Sequence, residues 1–129
     1  RFEMLLLILK IIGAVGTIGT GLLALFKPTS IYQFTGLVAQ GARGISEIRA
    51  IFGGLFIALG AAPFIFGLNG EKAATAFQVL GIGYLAIAIF RLVSILLDKS
   101  YDSSNWISLA IEVVFGIILI WMETLAKLE

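Results

Sequence analysis

The stretch AATAFQVLGIGYLAIAIFRLVSILL, residues 73–97, decides the fold, because its only charged side chain is Arg91. A helix crosses the hydrocarbon of a bilayer with about 20 apolar residues. An arginine at the bilayer centre costs about 2.5–3.5 kcal/mol on insertion scales and therefore faces a partner inside the protein. Polar breaks bound the run on both sides. Upstream, Asn69-Gly70-Glu71-Lys72 is a turn signal. Downstream, Asp98 to Asn105 is a polar octapeptide, and its Ser103, Ser104 and Asn105 are candidate N-caps for a following helix.

Beyond these breaks lie three more spans, residues 4–26, 45–66 and 106–122. The first is interrupted only by Lys10 and ends at Lys27-Pro28-Thr29-Ser30, since proline cannot donate into a continuing helix. It is longer than the roughly 7–15-residue apolar region of a signal peptide and reads as a retained helix. The fourth span is the shortest and crosses with little tilt. The segment Lys27–Gly44 exceeds a tight connection, and its Ile31, Tyr32, Phe34, Leu37 and Val38 suit either the membrane surface or an ordinary loop. The expected fold is all-α: an integral membrane, antiparallel four-helix bundle in one domain, residues 1–129. Both termini then share one side, face A, and the connections after the first and third spans lie on face B.

Composition agrees. Of 129 residues, 60% are hydrophobic and 13% charged, and the mean hydropathy is +1.07. Soluble domains carry about 25% charged residues, and disordered chains need few apolar ones. Nine basic against eight acidic residues leave no surface for nucleic acid. With no Cys and no His, the chain cannot build a disulfide, a histidine-ligated haem or a Ser-His-Asp triad. No metal site and no cofactor is expected.

Trp106 and Trp121 stand about 22 Å apart along a helix at 1.5 Å per residue, a spacing suited to two aromatic belts. Basic residues divide evenly between the faces, with Arg1, Lys72 and Lys127 on A and Lys27, Arg43 and Lys99 on B. Lys10 is expected to snorkel toward face A, which tips the termini to the cytoplasmic side. Small residues at four-residue spacing mark packing seams or an oligomer interface: Gly13, Thr17 and Gly21 in the first span, and Ala50, Gly54, Ala58 and Ala62 in the second. Gly81, Gly83 and Gly116 permit further close contacts.

Four charges lie in or at the edge of spans: Glu47, Arg49, Arg91 and Glu112. Arg91 sits six residues before Leu97, and Glu112 six after Trp106, each about 9 Å inside face B. The two are expected to pair, with Glu47 close by. At 100° per residue, Glu47 shares the face of Ala50, Gly54 and Ala58, whereas Arg49 turns toward Phe52 and Phe56 and suits headgroups. Tyr84 lies on the ridge of Arg91, and Ser108 on that of Glu112. Three readings stand: a polar pocket opening to face B for an amphiphile's head, an ion network that fixes helix packing, or snorkelling of Arg91 to the interface.

The run Glu47-Ile48-Arg49-Ala50-Ile51-Phe52-Gly53-Gly54 resembles the E-x-R-A-x-[YF]-G-G signature of the bacterial DUF4345 family. The resemblance implies a four-helix protein of the bacterial plasma (inner) membrane and carries no activity with it. Arg91 and Glu112 are similar to that family's other polar positions. Three functions compete. The first is a non-enzymatic accessory or lipid-binding protein, with the bilayer, a bound amphiphile, a membrane-protein partner or a second copy of itself as partners. The second is an oligomeric transport or channel element using Glu47 or Glu112 as a proton or cation site. The third, an intramembrane enzyme using that carboxylate pair as acid and base, lacks any nucleophile–base or metal-ligand motif.

Overall fold

Five glycine contacts determine how the helices meet. The computed structural model describes the backbone of residues 2–128 and the side chains of residues 2–120. α1 (Phe2–Phe26) is followed by a 3-10 turn (Pro28–Ile31) and the short α2 (Tyr32–Thr35). α3 (Gly41–Glu47) runs through a π-helical segment (Ile48–Leu55) into α4 (Phe56–Ile65), so the second span is one rod, Gly41–Ile65. α5 (Glu71–Asp98) and α6 (Ser103–Leu128) complete the bundle. Among the described residues, four helices are long and apolar enough to cross a membrane, and the chain is a helical integral membrane bundle. For the fourth, the side chains beyond Ile120, Trp121 among them, lie outside the described residues.

Lipid removes the hydrophobic drive between helices, so close backbone approach at small residues takes its place. A β-carbon on Gly60 would lie 2.7 Å from the Ala14 carbonyl oxygen, and one on Gly21 2.9 Å from that of Gly53. These contacts join α1 to the second span in antiparallel fashion. On the other side, a β-carbon on Gly81 would lie 2.6 Å from Ile120, and one on Gly116 2.6 Å from Leu85, which locks α5 against α6. Gly13 meets Phe115 and so joins α1 to α6. The ammonium of Lys10 over the Phe77 ring and the Thr17–Tyr84 contact share one sequence offset, 67, so α1 and α5 run parallel. The chain therefore goes up, down, up, down, so α1 begins and α6 ends on face A.

The expected seam on α1 holds: Gly13, Thr17 and Gly21 are buried. The one on the second span does not. Ala50, Gly54 and Ala58 are exposed, and nothing lies within 4 Å of a β-carbon built on Gly54. Ile48, Gly53, Gly60 and Pro63 face the bundle instead. The reason is local. A π-helix bonds i to i+5 and turns less per residue than an α-helix, so a phase carried at 100° per residue drifts across Ile48–Leu55. Glycine also permits the 2.7–2.9 Å approaches that alanine forbids. Gly83, likewise, faces open space.

The first connection folds back on the bundle. Ile31, 2% exposed, packs with Ala24 and Ile48, while Tyr32, Phe34, Leu37 and Val38 stay exposed. Gly70 takes φ +91 to start α5, a turn that a side chain would strain. Ser103, Ser104 and Asn105 do not cap α6 with their side chains. They lie within its first turn, and the Asp102 carbonyl accepts from the backbone N–H groups of Asn105 and Trp106.

Candidate functional site

α5 presents Phe77, Tyr84 and Arg91 at seven-residue spacing, hence on one face and about 10 Å apart along the axis. Each level has a different polar partner. At the face-A level the Lys10 ammonium lies 5.6 Å from the centre of the Phe77 ring. At the middle level the Tyr84 hydroxyl meets that of Thr17, which itself donates to the Gly13 carbonyl at 2.8 Å. At the face-B level Arg91 meets Glu112.

That last pair is bidentate. Arg91 Nε and Nη2 donate to the two carboxylate oxygens of Glu112, each at 2.8 Å. Fork-on-fork geometry fixes both planes and is the stronger form of the contact. Arg91 Nη1 donates to Asn105 Oδ1 at 3.0 Å. Asn105 Nδ2 in turn donates to the Ser100 carbonyl at 3.2 Å and hydroxyl at 2.5 Å. A hydrogen-bonded chain thus descends from the α5–α6 loop into the membrane. The side chains of Arg91 and Glu112 are 30% and 11% exposed. Among the described residues, no buried side-chain nitrogen or oxygen is left without a partner.

The expected approach of Arg91 and Glu112 is therefore present, but the wider cluster is divided. Glu47 and Arg49 are exposed, and neither makes a hydrogen bond or ion pair with a described residue. The second span meets α5 through α4, near face A, whereas the π-helical segment lies against α1. Glu47 is thus kept from Arg91 and Glu112. Arg49 borders a hollow with Leu25, Ala42 and Ser46. Tyr84 belongs to the middle level, about 10 Å from Arg91 along α5. Ser108 is half-buried and makes no side-chain hydrogen bond among the described residues.

Lys10 requires the largest correction. It does not snorkel: it is 4% exposed and borders a cavity of about 460 Å³ with Glu3, Asn69 and Phe77. Its place follows from its spacing. Lys10 stands three residues before Gly13 and seven before Thr17, on the inward face of α1. Sequence reasoning also overlooked Asn105, although it precedes Glu112 by seven residues and so shares its helix face.

Beside the ion pair, Arg91, Ser94 and Asn105 form the polar edge of a hollow of about 460 Å³ whose wall is Ala86, Ile87 and Phe90. The guanidinium has five N–H donors; three are committed to Glu112 and Asn105, which leaves two for a guest. Donors beside an apolar wall can hold an acceptor-bearing head while a hydrocarbon tail lies along the helix.

The fold and site define a small integral membrane protein with a neutral, interhelical ion pair in the face-B half. The chain belongs to the family described as a domain of unknown function, DUF4345, whose profile matches residues 5–123. No curated protein and no solved structure matches it.

Proposed function

We propose that the chain is a non-enzymatic protein of the bacterial plasma membrane that binds an amphiphile at Arg91. The carrying observation is the hollow that joins the uncommitted donors of Arg91 to the Ala86, Ile87 and Phe90 wall. Glu112 neutralises the arginine, so the site suits a head rich in acceptors, such as an ester or a zwitterionic phosphate, better than a bare anion. Glu112 and Asn105 hold the guanidinium in place, which spares the ligand the cost of ordering it.

The carboxylate pair required for acid–base chemistry is not assembled, since Glu112 is held by Arg91 and Glu47 stands apart. Transport has less support. Between the Lys10 and Thr17–Tyr84 levels the interior is closed by Ala14, Phe77, Leu80 and Leu119, all buried in one apolar cluster.

Native mass spectrometry tests the reading. The purified protein is offered dioleoyl phosphatidylethanolamine, and so is the double variant Arg91→Leu/Glu112→Leu. Binding is expected for the native chain and at least a tenfold loss in the variant, with helix content retained. Equal lipid retention by the two, or none by either, overturns it.

A further inference from the structure

The second span exposes a face that the bundle does not use, and its charges are arranged to match a copy of themselves. Ala50, Gly54 and Ala58 form an exposed small-residue ridge, with open space over Gly54. The nearest charges are Glu47 and Arg49. Ile48, between them in sequence, is buried in the bundle. Residues two apart on a helix point to opposite flanks, so with Ile48 directed inward, Glu47 and Arg49 flank the outward ridge on its two sides. Both lie in the face-B half, Glu47 six residues past Gly41 and so about 9 Å in. Neither has an ionic partner among the described residues, and lipid is a poor environment for either.

A two-fold axis along the membrane normal would bring two such ridges together in parallel. Under that symmetry the left flank of one helix faces the right flank of the other, as the flanking positions do in a parallel coiled coil. Glu47 of each copy then meets Arg49 of the other at nearly the same depth, twice per dimer. Small residues let the backbones approach closely enough for both pairs to close. We infer that the chain forms a parallel homodimer through Ala50, Gly54 and Ala58 of the second span, closed by two reciprocal Glu47–Arg49 ion pairs. This interface is separate from the Arg91 hollow, so either reading can fail without the other.

The absence of cysteine makes the test direct. Gly54→Cys in native membranes is expected to cross-link into a dimer under mild oxidation. Cysteine at Ile89 or Val114, both lipid-exposed on other helices, is expected to cross-link at least tenfold less. Charge exchange tests the pairing: Glu47→Arg and Arg49→Glu should each reduce the dimer fraction at least fivefold, and the combined exchange should restore it. Circular dichroism of each variant verifies that it has folded. Equal cross-linking at Gly54, Ile89 and Val114 overturns the interface. Single exchanges without effect, or a combined exchange that does not restore the dimer, overturn the pairing and with it the proposal.

Discussion

The α5–α6 hairpin and the second span each carry one acid and one base in the face-B half, yet treat them in opposite ways. In the hairpin, Arg91 and Glu112 sit on two helices locked at Gly81 and Gly116, and the pair closes within the chain. In the second span, Glu47 and Arg49 share one helix two residues apart and flank an exposed ridge. Charges on consecutive antiparallel helices at equal depth satisfy each other. Charges two apart on one helix cannot, and they look outward. The hairpin therefore closes its charges within the protomer, and the second span's charges are the ones the proposed dimer would pair.

The largest expected effect removes half of the closed pair. Arg91→Ala should destabilise the detergent-solubilised protein by about 3–5 kcal/mol, because Glu112 is then buried alone, and Glu112→Ala by less, because Arg91 is partly exposed. The double variant should lose less than the sum, and a thermal or denaturant unfolding series measures all three. Additive losses would break the contrast, since the two charges would then not be coupled.

A second pair of variants compares glycines. Gly81→Val places a side chain where Leu119 and Ile120 already stand and should cost about 1–3 kcal/mol by overpacking. Gly54→Val meets open space and should leave protomer unfolding nearly unchanged. Similar losses at both sites would show that the second span's outer face is packed within the protomer after all. Asn105→Ala removes a neutral acceptor from a charged donor and should cost about 1.5 kcal/mol in the same assay. The smallest effect belongs to Glu47→Ala and Arg49→Ala, each expected to change protomer stability by no more than about 0.5 kcal/mol.

Positions along the axis were legible in the sequence, and angles around it less so. The four spans and the shared depth of Arg91 and Glu112 follow from counting residues at a fixed rise, where an error of one residue moves a group by only about 1.5 Å. The facing of Ala50, Gly54 and Ala58 required an angle carried through a π-helical segment, where each residue adds to the error. Lys10 illustrates another limit. Its spacing from Gly13 and Thr17 puts it on the inward face of α1, a local signal that a general preference of lysine for the interface does not contain. Asn105 reads as a candidate cap by residue type, and only the three-dimensional meeting of α5 and α6 shows its donor to be Arg91.

The seven-residue column on α5 has a mechanical consequence. Apolar helices in lipid can slide past one another with little change in buried surface. Here a slip of α5 by one turn, about 5.4 Å, would at once pull Phe77 from Lys10, Tyr84 from Thr17 and Arg91 from Glu112. No neighbouring rung offers a substitute, because the three levels differ in chemistry: ring, hydroxyl and guanidinium. The column acts as a keyed latch, holding a greased rod at a single height.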